Sequence, residues 1–373
     1  MKIIKDWQNN LQPHSKAKIE LLKEYLAKYL QVLSNSPFFS DIFLFDVYCG
    51  HGVYDDGGFG SPIVMLEEIE RVLQSGFCSK VNYHCFFNDN NPDYINQLKT
   101  FIEEIGHSKK ITISYSCCEY NNALESVSSQ INKLSPSAKA FVFIDPWGYR
   151  DVRFADIQSL LATKKAEVLL FLPTQFMFRV ESNGTPKCLQ CLIEELVPLD
   201  EWPISSTGID FIENLKSHFK LRLGNDYYVD TFIIERDAGQ HYCLFFFTSH
   251  IYGFQKMLEA KWVIDNNEGR VWRFMRTEYL FDGHKSSITF RFEDELRAYL
   301  LSNSRTNKDV YEFTLHKGHL PIHTNEVLKA WQIEDTLSVL KSNGEPAKKG
   351  SFYLNHKEWR NSPKKVTFYL KTK

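Results

Sequence analysis

Two short stretches hold most of the side chains that could do chemistry, Asp46-Val47-Tyr48-Cys49-Gly50-His51-Gly52 and Asp145-Pro146-Trp147-Gly148. In the first, a carboxylate sits inside the apolar run Ile42 to Tyr48, and glycines follow it. Such a run reads as a buried parallel strand that ends in a strand-to-helix turn, where the backbone approaches a nucleoside ligand too closely for any Cβ. The spacing D-x-x-x-G-x-G is shorter than the dinucleotide fingerprint G-x-G-x-x-G, and the carboxylate comes first. On this segment alone, a glycine-rich turn of some other α/β protein is an equal reading. In the second stretch, the apolar run Ala140 to Ile144 delivers Asp145 and Pro146, followed by Trp147. An acidic oxygen there can accept hydrogen bonds from an amino group while the ring stacks on a flat base. The plain alternative is a strand-end turn with Trp147 in the core.

The elements that must position these residues follow from periodicity. Ile19, Leu22, Leu26, Tyr29 and Leu33 form one apolar helical stripe after Ser15, a candidate N-cap. Lys16 and Lys18 in its first turns read as a solvated face; the sharper reading has His14 and Lys18 over the ligand mouth. Gly60-Ser61-Pro62 starts the next helix. Val81 to Phe87 is a second strand running into Asn88-Asp89, and an acidic residue at this place can bind ribose hydroxyls or cap the next helix. Ile111 to Tyr115, Ala140 to Ile144 and Glu167 to Leu172 are further strands. Tyr227 to Glu235 and His241 to Ser249, joined by Arg236 to Gln240, make an antiparallel hairpin. Five strands plus the hairpin predict a seven-stranded α/β sheet.

The chain has 373 residues, 43% hydrophobic and 24% charged, which suits a soluble protein of two domains. No apolar run reaches the roughly 20 residues that span a bilayer, and MKIIKDWQNN lacks a signal-peptide core, so a cytosolic protein without membrane contact is expected. Eight cysteines without a secretion signal read as reduced thiols. Cys188-x-x-Cys191 has no second pair at ligand spacing, so no metal site is expected. Residues 303–373 hold 13 Lys+Arg against 7 Asp+Glu, an excess of +6, while the rest of the chain carries −8.

PHSKAKIELLKEYL, FDVYCGHGVYDDGGFGSPI, FIDPWG and HYCLFFFTSHIYGFQKMLEAKW, in this order and spacing, resemble the three-Cys-motif partner (TcmP) family over about His14 to Trp262. The glycine turn is also similar to the first motif of class I S-adenosylmethionine (SAM) methyltransferases, and Asp145-Pro146-Trp147 to their amine-reading D/N-P-P-Y/F motif without its second proline. The resemblance implies a Rossmann-like methyltransferase fold, SAM as cofactor, and a partner encoded nearby that carries three cysteines and resembles a radical-SAM iron-sulfur protein. Carried over by position, Asp46, Tyr48, Gly50, Gly52, Gly60, Ser61, Asp89 and Glu119 would bind the cofactor, Glu119 through the adenine. Asp145, Pro146 and Trp147 would be catalytic. Cys49 and Cys118-Glu119 depart from the family pattern.

The Rossmann-like domain is expected over residues 1–264, a linker over 265–287, and a second domain over 288–373. Helices Phe292 to Leu301, Lys308 to Leu315 and Thr324 to Leu340, then strands Ser351 to Leu354 and Val366 to Leu370, predict a winged helix. His323-Thr324-Asn325 would start its recognition helix. Lys348, Lys349, Lys364 and Lys365 on the wing would contact DNA or RNA, with protein contact the alternative. Two functions follow: a SAM-dependent methyltransferase acting on a nucleic-acid base or another amine, or a catalytically inactive nucleotide-binding subunit of the iron-sulfur partner.

Overall fold

The computed structural model describes residues 10–76, 80–182, 185–237, 240–273 and 287–371. Cys78, Ala238, Gly239 and residues 274–286 of the expected linker lie outside them. The chain divides into two compact units, Met1–Lys256 with Arg270–Arg276, and Met257–Gly269 with Thr277–Lys373.

The first unit begins with helix α1 (Pro13–Ser34) and strand β1 (Asp41–Asp46). It continues with α2 (Ser61–Gln74), β2 (Asn82–Asn88), α3 (Pro92–Ile105), β3 (Ile111–Ser116), α4 (Tyr120–Lys133), β4 (Ala138–Ile144), α5 (Phe154–Leu161) and β5 (Ala166–Leu172). Then come α6 (Thr174–Ser182), α7 (Lys187–Leu196), α8 (Gly208–Leu223), the hairpin β6 (Tyr228–Asp237) and β7 (Gln240–Thr248), α9 (Ile251–Ile264), which runs into the second unit, and β8 (Val271–Arg273).

One sheet joins these strands in the order β3-β2-β1-β4-β5-β7-β6-β8. β1 to β5 are parallel, and β7 enters antiparallel between β5 and β6. The sheet therefore has eight strands rather than seven. The added β8 pairs with β6 through only three residues, too short a run for periodicity to reveal. β4 and β5 are buried along almost their whole length, as strands covered on both faces must be.

The order reverses between β1 and β4, because β2 and β3 run to one side and β4, β5 and the hairpin to the other. Crevices at such switch points, beyond the carboxyl ends of the strands, are where open α/β sheets bind ligands. Asp46 is level with Phe87 on β2 and Phe143 on β4, so the carboxyl ends of all three strands come together there.

α1 starts three residues earlier than expected. Pro13 takes its first turn and Gln12 the N-cap position without a side-chain bond, so Ser15 is interior. Its buried stripe includes Lys18 alongside Leu21, Leu22, Tyr25, Leu26 and Tyr29. Below that stripe Tyr25 hydroxyl donates to buried Glu167, which also accepts from Thr248 at 2.7 Å.

The second unit holds α10 (Ser287–Ser302), β9 (Arg305–Thr306), α11 (Asn307–His316), α12 (Pro321–Ile333), β10 (Leu337–Lys341), α13 (His356–Asn361) and β11 (Val366–Leu370). Its antiparallel sheet has the order β10-β11-β9. The expected helix Thr324 to Leu340 stops at Ile333, and Leu337–Lys341 is a strand instead. Ser351 to Leu354 is not a strand. Alternate positions of Leu337–Lys341 are buried, a period of two that the preceding helical stripe hid.

Candidate functional site

Asp46 is the last residue of β1 and fully buried. Its Oδ1 accepts weakly from the Tyr48 N–H at 3.3 Å, while Oδ2 makes no hydrogen bond of normal geometry. Burial pushes its carboxyl up to about 7; the nearby Ser61 hydroxyl and the Tyr48 N–H oppose that shift, and the charges of Asp145 and Asp89 add to it. A buried acid with a free oxygen is costly, and such groups concentrate where a ligand completes them.

The turn after β1 uses its glycines for separate reasons. Gly50 and Gly52 both have positive φ, +61° and +81°. At Gly52 a Cβ would lie 2.5 Å from Leu98 Cδ1, so α3 packs directly on this turn. At Gly50 a Cβ would meet nothing within 4 Å, so that side of the backbone is open to a ligand. Gly60, the N-cap of α2, closes the loop by donating its N–H to Gly52 O at 2.7 Å.

Asp89 follows β2 directly and is buried. Gly50 N–H donates to its Oδ2 at 3.1 Å, and Asn91 N–H to its Oδ1 at 2.9 Å. The carboxylate thus holds the glycine turn and the next helix's entry together, with lone pairs to spare for a diol. Asn88, not singled out in the sequence, is the stitch behind it. Its Nδ2 donates to Val47 O at 3.2 Å and Cys118 O at 3.1 Å, and its Oδ1 accepts from Cys118 N at 3.2 Å. The signal available was a buried-strand amide next to the acidic residue.

Asp145 follows β4, half-buried, with Pro146 buried beside it and Trp147 79% exposed. The reading of Trp147 as a core residue is thereby overturned. Lys18 donates to both Asp145 oxygens, at 2.8 and 2.6 Å, and lies 4.1 Å from the centre of the Phe171 ring. Lys18 is therefore no part of a solvated face. It falls on the α1 stripe with Leu22 and Tyr25, and that register was the missed signal. His14, one turn earlier, stacks on Tyr242 at 5.0 Å, and Tyr242 on Phe171 at 5.5 Å. Burial, then the Lys18 and Arg236 charges, lower the His14 imidazole to about 4, so it is neutral at physiological pH.

Tyr54, from the glycine loop, also belongs to this group. Burial, then the charges of Asp145 and Asp46, raise its phenol to about 12. Tyr48 stacks on Tyr120 with centroids 5.2 Å apart. Glu119 is exposed and accepts from Asn90 Nδ2 at 3.3 Å. Cys49 is buried and its thiol shifted upward by that burial, so it is no thiolate nucleophile.

Carboxylates thus converge on the switch point from β1, β2 and β4, with Lys18 on the last. An acidic mouth disfavours the pyrophosphate of a dinucleotide and suits a nucleoside that carries positive charge. The incompletely bonded Asp46 carboxyl and the open side of Gly50 fit such a ligand. The sheet order with its antiparallel β7 defines a Rossmann-like methyltransferase fold.

No protein-family model matches the chain, and no curated protein matches it. Solved structures do, at low identity. One is the O-methyltransferase TomG from Streptomyces achromogenes in complex with SAM, 10% identical with a TM-score of 0.34 over 61% of this chain and 79% of that one. Another is an O-methyltransferase from Bacillus cereus in complex with SAH, 12% identical with a TM-score of 0.34 over 64% and 84%. A putative tRNA (m1A22) methyltransferase from Streptococcus pneumoniae with SAM is 14% identical, with a TM-score of 0.28 over 59% and 72%.

In the second unit, Lys348, Lys349 and Lys364 are exposed, whereas Lys365 pairs with Glu358 at 3.0 Å and lies over the Tyr353 ring. His323-Thr324-Asn325 does not begin an outward-facing helix end. α12 starts at Pro321, and Thr324 is buried against the Thr314 hydroxyl at 2.7 Å. Among the described residues no helix is long and apolar enough to cross a membrane.

Proposed function

We propose that the first unit binds S-adenosylmethionine and that the protein is a cytosolic methyltransferase acting on an amine, with a nucleic-acid base as the favoured acceptor. The observation that carries this is the buried, incompletely bonded Asp46 beside the open glycine turn, at the switch point of this sheet. Asp46, Gly50, Gly52, Gly60 and Ser61 would hold the cofactor with Tyr48, Asp89 for the ribose and Glu119 at the rim. The cofactor supplies an activated methyl group and a good leaving group. The chain's own work is to place the acceptor: Asp145 keeps lone pairs beyond those that Lys18 uses, Pro146 fixes the turn, and Trp147 offers its exposed face to a flat ring.

We read the second unit as a winged helix, a reading that its order of helices and strands supports, with Lys348, Lys349 and Lys364 as candidate phosphate contacts. The exposed residues of α12 are of mixed character, among them Ile322, Glu326, Lys329 and Ile333, and give base reading by that helix no particular support. The pairing of Lys18 with Asp145 favours a second reading, in which the protein is a catalytically inactive nucleotide-binding partner of a three-cysteine, radical-SAM-like protein, as the TcmP resemblance implies.

Thermal shifts test the cofactor. SAM and its demethylated product should raise the melting temperature, while ATP and NAD should not. Equal stabilisation by ATP or NAD, or none by SAM, would reject the assignment. Asp145→Ala separates the readings: loss of methyl transfer with SAM binding retained supports the enzyme.

A further inference from the structure

Among the lysines of α1, Lys18 is the buried one, at 7% exposure. Its ammonium is committed to two neighbours, the Asp145 carboxylate through both oxygens and the Phe171 ring. A buried ion pair adds little stability over an apolar pair of similar volume, so packing alone gives no reason for a lysine on this stripe.

The charges around it give one. Asp46 faces Asp145 from the β4 side and Asp89 from the β2 side, with the Ser61 hydroxyl, the Tyr48 N–H and the Cys49 thiol next to it. Tyr54 feels the charges of both Asp145 and Asp46 from the glycine loop, and His14, one turn before Lys18, feels those of Lys18 and Arg236. Without the ammonium, a buried acid and an uncompensated carboxylate would share the mouth, and like charges at short range resist joint ionisation.

We propose that Lys18 is a positioning residue of the cofactor site, holding Asp145 through a two-oxygen ion pair so that the neighbouring Asp46 can carry its charge when a cationic cofactor enters. This rests on the SAM reading above. Lys18 acts through Asp145, so its signature is electrostatic, and a merely structural lysine would leave the pH dependence of the site unmoved.

The test follows SAM binding by calorimetry and the melting of ligand-free protein, both from about pH 5.5 to 9, in wild type, Lys18→Met, Lys18→Arg and the double variant Lys18→Met/Asp145→Asn. In Lys18→Met the binding midpoint should move up by roughly one pH unit, with about tenfold weaker binding at pH 7. Lys18→Arg should keep the wild-type midpoint, and the double variant should return to it or fall below it. A Lys18→Met profile with the wild-type midpoint overturns the proposal, as does a Lys18→Arg profile like that of Lys18→Met. Failure of wild type to bind SAM would defeat the cofactor reading instead, and the melting curves still decide the role of Lys18. Stability of Lys18→Met should keep falling to higher pH than in wild type, and identical pH dependence contradicts the proposal. Should Lys18→Met not fold, Asp145→Asn alone, which leaves the Lys18 ammonium uncompensated beside Asp46, should lower the binding midpoint below that of wild type, and an unmoved midpoint overturns the proposal.

Discussion

Gly50 N–H donates to Asp89 Oδ2 at 3.1 Å, and so ties the turn after β1 to the end of β2. The same carboxylate accepts Asn91 N–H, so one side chain sets the glycine turn and the start of α3 together. The sequence leaves room for Asp89 to serve both ribose and helix entry; Asn91 is the N-cap of α3, and Asp89 braces the Asn91 N–H from two residues upstream.

The two turn glycines should respond differently to alanine. Gly52→Ala meets both positive φ and a 2.5 Å clash with Leu98, and should cost about 2–4 kcal/mol in chemical denaturation. Gly50→Ala meets only the positive φ, costing about 1 kcal/mol, yet its methyl group occupies the open side and should abolish SAM binding. Equal loss of stability in both would contradict the packing described for this turn.

Asp46→Asn should stabilise the protein while disabling it. Burial raises the Asp46 carboxyl to about 7, above its unfolded value. Its contribution is therefore fully present below about pH 4 and is lost as pH rises through about 7. Wild type should lose up to roughly 3–4 kcal/mol across that window from this group, and Asp46→Asn should not. Melting of the two proteins should nearly coincide at or below about pH 4, differ partly at pH 5 and separate fully in favour of the variant at pH 8. A variant less stable than wild type at pH 8 would contradict a raised Asp46.

Trp147 is exposed, so Trp147→Ala should change stability by less than about 0.5 kcal/mol. If it stacks on the acceptor, the same change should lower kcat/KM about tenfold or more, measured with labelled methyl groups. An unchanged kcat/KM would remove Trp147 from the acceptor site.

For the second unit, Lys348→Ala/Lys349→Ala should weaken duplex binding and reduce the slope of log affinity against log salt by about 2. Lys365→Ala should do less, because that ammonium is already paired with Glu358. An unchanged salt slope in the double variant would remove these lysines from any phosphate contact.

Much of the α/β sheet was legible, because the buried parallel strands carry apolar runs, such as residues 140–144 and 168–172, that end at turn residues. β8 was hidden because three residues carry no period, and Leu337–Lys341 because a helical stripe ran up to it. Around the site, Asp46 and the glycines stood out by spacing within one segment. The pairing of Lys18 with Asp145 joins residues 127 positions apart, and no local pattern reports such a contact. Tyr54 and Asn88 were obscured similarly, since a tyrosine in a glycine loop and an amide at a strand end usually have local explanations.

Calorimetric titration of the purified protein with SAM, beside Asp46→Ala, tests the central claim most directly. Wild type should bind with micromolar affinity, about −8 kcal/mol, and the variant should remain folded without binding. Binding of equal strength in Asp46→Ala, or none in wild type across pH 6 to 9, would contradict it.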